Sequence, residues 1–83
     1  MTKMERGQLY VLETNRLNDV VNRDAKVVQL QVISLLADIK DMEEKAVRCR
    51  RDLEYECLAA MVDIDNRLIQ RQVIAVLDGV LDE

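Results

Sequence analysis

Few side chains in this sequence have the type and spacing that catalysis requires. The 83 residues include no histidine, so the commonest general base and metal ligand is absent. The one serine, Ser34, lies in a strongly apolar stretch, where a hydroxyl inside a helix bonds its own backbone. We therefore predict that the protein is not an enzyme and uses no cofactor.

Two acidic pairs resemble metal ligands but lack the rest of a site. Asp63 and Asp65 match the opening of a calcium-binding loop, yet Leu68 stands where that loop needs its invariant glycine. Glu43 and Glu44 would need Glu-x-x-His partners to form a carboxylate site of the four-helix type. We interpret the aspartates as solvated helix-cap carboxylates and predict no metal site.

The cysteines and the N-terminus bear on the compartment. Cys49 and Cys57 are eight residues apart, about 12 Å along a helix, which is too far for a disulfide within the chain. We expect reduced, semi-buried thiols in an intracellular, cytoplasmic protein. No apolar segment follows the first residues, and charges interrupt the most apolar stretch (57–81), so we predict neither a secretory signal nor a membrane span.

Composition predicts helices that pack against other helices. The sequence has no proline, and its two glycines, Gly7 and Gly79, lie near the ends, so the turn signals of a sheet protein are missing. Apolar residues make up 49% of the chain but aromatic residues only 2%, which leaves a thin aliphatic core. We predict an all-α fold, a helical hairpin or bundle, that gains stability by oligomerisation.

Apolar periodicity divides the chain into three segments. Thr2 and Glu5 form a capping box that starts the first helix. Asn22–Asp24 and Asp63–Asn66 are possible breaks, since Asn and Asp favour caps over helix interiors, although the helices could also pass through both. We predict a single helical domain over residues 1–83 with a long central amphipathic helix, the helices covering about 3–21, 25–62 and 66–81.

A heptad repeat runs through the central segment and predicts a coiled-coil seam. Two interleaved series with a spacing of seven form this interaction seam: Val28, Val32, Leu35, Ile39, Met42, Ala46, Cys49, Leu53 and Ala60. We expect Leu35, Ile39, Met42 and Leu53 to be buried. We also expect two copies of the long helix to pair antiparallel, crossing near Ala46 where a small side chain allows close approach.

Two functions fit these patterns. The first is a small helical protein–protein interaction module (an adaptor, an assembly subunit or a chaperone-like partner) that forms a homo-oligomer, with a dimer favoured, or packs on another helical protein. The alternative is a small regulator that binds nucleic acid or a transcription protein through a basic cluster of Lys45, Arg48, Arg50 and Arg51. The net charge of −4 and the acids interleaved with this cluster make nucleic acid the weaker prediction.

Overall fold

The computed structural model describes residues 1–82, and all the regular secondary structure in this range is helical. These residues form four α-helices and one short 3-10 helix: α1 (Lys3–Arg16), the 3-10 helix (Leu17–Asp19), α2 (Arg23–Ile39), α3 (Glu44–Ala60) and α4 (Ile64–Val80). The prediction of an all-α fold is confirmed. The first predicted helix, 3–21, is shorter than expected, because α1 tightens into the 3-10 turn after Arg16.

Local capping chemistry starts three of the four helices. Thr2 accepts a hydrogen bond from the backbone N–H of Glu5, whose side chain accepts one from the Thr2 N–H in return. Both possible breaks in the sequence are real, and each is formed in the same way. The Asn22 side chain accepts hydrogen bonds from the N–H groups of Asp24 and Ala25 at the start of α2. The Asp63 side chain accepts them from Asp65 and Asn66 at the start of α4.

The predicted long helix over 25–62 is wrong. The chain leaves the helix after Ile39, and α3 begins at Glu44 after a turn at residues 40–43. The backbone of Glu43 is extended, with ψ at 152°, which no α-helix accommodates. The predicted crossing near Ala46 requires a long helix on both sides of that residue, and in this structure Ala46 lies in the first turn of α3.

The chain divides into two compact units, each of them a pair of helices. Unit 1 covers Met1–Met42 and pairs α1 with α2, and unit 2 begins at Glu43 and pairs α3 with α4. A single helical domain over 1–83 stays a prediction.

The second helix of each pair supplies most of the buried apolar side chains. They recur at spacings of three and four, which places them on one helix face. The buried apolar residues are Val32, Leu35, Leu36 and Ile39 in unit 1, and Val47, Val73, Ile74, Leu77, Val80 and Leu81 in unit 2.

The two units repeat one another at a spacing of 41 residues. Gln-x-Gln-Val-Ile occurs at residues 29–33 in α2 and again at residues 70–74 in α4. The buried Leu36 corresponds to the buried Leu77, and the cap Asn22 corresponds to the cap Asp63. The chain is thus a tandem pair of helical hairpins built on the same plan, a periodicity that the sequence analysis missed.

Candidate interaction surface

One glutamine in each unit joins its two helices in the same way. The carboxamide nitrogen of Gln29 donates to the backbone oxygen of Glu13 at 2.7 Å and to its carboxylate at 2.8 Å. In unit 2, Gln70 donates to the backbone oxygen of Glu54 at 2.8 Å and to its carboxylate at 2.5 Å. Because both contacts are long-range and directional, they fix the register of the second helix on the first. The outward faces of α1 and α3 follow from that register.

Each of these glutamates also binds an arginine of its own helix. In unit 1, Arg16 donates to the Glu13 carboxylate at 3.2 Å. In unit 2, Arg50 lies one turn before Glu54 and donates to its carboxylate at 2.8 Å. Burial of the Glu54 carboxylate alone raises its pKa, but hydrogen bonds from Gln70 and Arg50 outweigh burial and hold the pKa below its usual value of 4.5. Glu54 is therefore a stabilised anion at the inner edge of α3.

The outward face of α3 carries an apolar stripe that no described part of the chain buries. It contains five exposed residues spaced by three and four, which lie on one side of a helix. This α3 stripe consists of Ala46, Cys49, Leu53, Cys57 and Ala60. Leu53, at its centre, is 57% exposed. Four of these five residues belong to the predicted heptad seam, and Cys57 does not.

The corresponding face of α1 is polar. At the repeat spacing of 41, the residues equivalent to the α3 stripe are Glu5, Gln8, Leu12, Arg16 and Asp19, all of them exposed. Only Leu12 is a large apolar residue, and it is 51% exposed. Two faces with the same position in the fold therefore differ in chemistry: the face on α3 consists of apolar side chains, and four of the five side chains on the α1 face are polar or charged.

The structure separates the residues of the predicted seam into two groups. Leu35 and Ile39 are buried in unit 1 as expected, together with Val32, while Val28 and Met42 are half-buried. Leu53 was expected to be buried, but it is exposed within the chain, and so are the other seam residues of α3. The physical reason is the interruption at residues 40–43, which separates the seam residues of α2 from those of α3 and leaves Met42 in the turn between the helices. The seam as an interchain contact stays a prediction.

Acidic neighbours balance most of the basic cluster. Arg48 lies 3.4 Å from a carboxylate oxygen of Glu44, and Arg50 is held by Glu54. Arg51 lies 3.7 Å from Asp52 and 3.9 Å from Asp78. Lys45 is exposed at the start of α3. A nucleic-acid surface needs an excess of positive charge, and these ion pairs leave the basic cluster with little net positive charge.

Three further predictions concern metal ligands, the cysteine thiols and membrane spans. No group of three or more acidic or cysteine side chains within residues 1–82 is arranged to hold a metal ion. Cys49 and Cys57 are free thiols, and both are exposed, so the prediction that they are semi-buried is wrong for the single chain. Each helix in the described range is too short or too polar to span a lipid bilayer.

The repeat spacing was the signal that sequence reasoning overlooked. Comparing residues 29–36 with 70–77 shows the shared Gln, Val, Ile and Leu positions directly. The comparison also pairs Leu12 with Leu53, which marks the α3 stripe as the face that differs between the units.

Comparison with known protein families, with curated proteins and with solved structures gives no match.

Proposed function

We propose that this protein is a small helical protein–protein interaction module that acts through helix packing, and that its partner at the α3 stripe is a second copy of the same chain. The observation that carries the proposal is the exposed apolar α3 stripe, set against the polar equivalent face of α1. An apolar face on one helix of a small, thinly packed chain is stabilised when another helix covers it.

The α3 stripe reads the same in both directions, which favours a second copy as the partner. Counting outward from Leu53, a cysteine lies four residues away on each side and an alanine lies seven residues away on each side. Two α3 helices that pair antiparallel about Leu53 therefore share matched layers: alanine with alanine, cysteine with cysteine and leucine with leucine. Such self-complementarity is what a two-fold interface requires.

Side-chain size agrees with this arrangement. The alanines and cysteines that flank Leu53 are small, so two helix axes can approach to the short end of the usual range of about 8–10 Å. The Arg50–Glu54 ion pair is already formed within α3, so it can stay at the edge of the contact without leaving an unpaired buried charge. The antiparallel pairing expected from the sequence is thus retained in the proposal, with its centre moved from Ala46 to Leu53.

A matched pair of variants tests self-association. Leu53→Lys places a charge at the centre of the α3 stripe, whereas Leu12→Lys makes the same change at the equivalent, similarly exposed position of α1. We expect sedimentation equilibrium to show dimers for the unchanged protein and for Leu12→Lys, and monomers for Leu53→Lys. A monomeric unchanged protein over the micromolar range would overturn the proposal, as would a dimer that persists in Leu53→Lys.

Crosslinking of the native thiols tests the orientation. In the antiparallel dimer Cys49 of one copy shares a layer with Cys57 of the other, so a short bismaleimide should join the two chains. Because each crosslink then needs one cysteine of each kind, both Cys49→Ala and Cys57→Ala should lose the crosslinked dimer. In a parallel dimer each variant would still crosslink through its remaining cysteine, and that result would contradict the antiparallel arrangement.

A further inference from the structure

The break between α2 and α3 is not explained by its own residues. The hinge segment, residues 40–43, reads Lys-Asp-Met-Glu and contains neither glycine nor proline. Its last residue, Glu43, is the N-cap of α3 but makes no side-chain capping hydrogen bond. The N-caps of the other three α-helices are Thr2, Asn22 and Asp63, and each of those side chains does make such a bond.

The heptad positions also continue across the hinge segment without a change of phase. Val32, Ile39, Ala46, Leu53 and Ala60 keep the spacing of seven that a single helix would need. Local sequence therefore favours an uninterrupted helix at the point where the structure interrupts it. A contact from elsewhere in the chain must therefore stabilise the non-helical conformation of residues 40–43.

Arg6 of α1 supplies that contact. Its guanidinium donates from Nη1 to the backbone oxygen of Ile39 at 2.5 Å and from Nη2 to that of Met42 at 2.6 Å. In an uninterrupted helix these two oxygens would accept from the N–H groups of Glu43 and Ala46. The Met42 N–H instead donates to the Ile39 oxygen, which closes a tight turn. Arg6 thus binds the two carbonyls that a continuing helix would use.

The arginine is almost completely buried, being 3% exposed. The carbonyl end of α2 offsets its charge, since the last turn of a helix carries partial negative charge. The Nε of Arg6 is buried without a hydrogen-bond partner, so its burial is incompletely compensated. The equivalent position in unit 2 is Val47, an apolar residue that is also buried, so the hairpin itself does not require arginine there.

We infer that Arg6 holds the hinge segment out of the helical conformation, and that removing its guanidinium lets α2 and α3 join into one helix over residues 23–60. The device is a two-state element: one state is bent at residues 40–43 and clasped by Arg6, and the other is continuous and carries the heptad positions on a single helix. Its equilibrium is set by one side chain in α1, far from the hinge in sequence. This inference does not depend on self-association.

Backbone NMR of the full chain tests the inference in the Arg6→Met variant, which keeps an unbranched side chain but loses the guanidinium. We expect the Cα secondary shift of Glu43 to move from the extended to the helical side of its random-coil value. The amide protons of Glu43 and Ala46 should become more protected from exchange, because they would gain the Ile39 and Met42 oxygens as acceptors. If Glu43 keeps its extended shift while unit 1 remains folded, the inference is wrong.

Arg67 provides the matched control. Its Nη1 donates to the backbone oxygens of Leu58 and Met61 at 3.0 Å each, at the end of α3, whereas Arg6 uses both terminal nitrogens at the end of α2. Asp63 caps the following helix, so that break has its own local signal. We expect the Cα shifts of residues 61–63 to remain non-helical in Arg67→Met. Conversion of this loop to helix would show that any arginine clasp has the same effect, and would overturn the special role of Arg6.

Two further variants protect the test against a loss of folding. Arg6→Lys keeps the positive charge but cannot reach both carbonyls with one planar fork, so Glu43 should shift part of the way towards helix. Adding a capping residue, in Arg6→Met/Glu43→Asp, should return residue 43 to the extended conformation. An Arg6→Lys variant whose residue 43 is unchanged, or a double variant whose hinge stays helical, would contradict the inference.

Discussion

The glutamines at positions 29 and 70 show how one polar side chain can organise a hairpin. Each donates both to a backbone oxygen and to the carboxylate of the same glutamate, so one residue of the second helix is tied to one residue of the first. Gln70 is buried, and a buried amide without partners is costly, so these bonds select one helix register over its neighbours. The contact recurs because both units need the same register.

The carboxylate of Glu54 gives the protein an acid-dependent component of stability. Its pKa in the folded protein lies below the usual 4.5, despite burial, because Gln70 and Arg50 bind the charged form. This stabilisation is fully present above the ordinary glutamate pKa and is lost as the pH falls through the lower folded-state pKa. We expect Glu54→Gln to flatten the fall in unfolding free energy below about pH 4.5, as measured by urea titrations at several pH values.

Glu56→Gln is the control for this measurement, since Glu56 is exposed on the same helix. It removes the same formal charge without touching Gln70 or Arg50. An acid dependence in Glu54→Gln as steep as that of the unchanged protein would show that Glu54 does not contribute.

At the scale of helices, local chemistry and tertiary contacts set different boundaries. The starts of α1, α2 and α4 could be predicted, because Thr2, Asn22 and Asp63 bond to N–H groups within three residues of themselves. The end of α2 could not, because Arg6 reaches it across 33 and 36 residues of sequence. Propensity and periodicity contain no information about such a contact.

The two N-caps Asn22 and Asp63 should contribute similarly to the free energy of unfolding. We expect Asn22→Ala and Asp63→Ala each to lower the free energy of unfolding by about 1 kcal/mol, because each leaves two N–H groups without their side-chain acceptor. Glu43→Ala should cost less, since Glu43 makes no capping bond. Urea denaturation followed by circular dichroism measures all three. A cost for Glu43→Ala equal to that of the other two would contradict this account.

For the whole molecule, the all-α fold class could be predicted from the sequence, but its arrangement as two equivalent hairpins was not predicted. Composition and the missing turn signals correctly predicted an all-α chain. The heptad spacing was extended across Lys40–Glu43 and so merged two helices that belong to different units. A search for repeats would have separated them, because the shared Gln, Val, Ile and Leu positions of α2 and α4 imply two equivalent hairpins. The α3 stripe was recognised only as part of a longer seam.

Equivalent positions in the two units should respond alike to truncation. Leu36 and Leu77 are each 0% exposed, and they occupy the same site in their hairpins. We expect Leu36→Ala and Leu77→Ala each to cost about 2–5 kcal/mol, the range for deleting a fully buried leucine side chain. Leu68→Ala should change the unfolding free energy by less than about 0.5 kcal/mol, since Leu68 is 53% exposed. Equal costs at all three positions in denaturant titrations would contradict this assignment of the core.

The 41-residue spacing has a consequence for how such a chain can change in length. Every hydrogen bond and ion pair described above closes within one unit, so the contacts of one hairpin do not depend on the length of the other. An insertion or deletion of a few residues within a helix would rotate its buried face and break the glutamine contact. The gain or loss of one complete hairpin would leave intact the contacts described within the other. Duplication in whole hairpins is therefore the mode of growth that this architecture tolerates best.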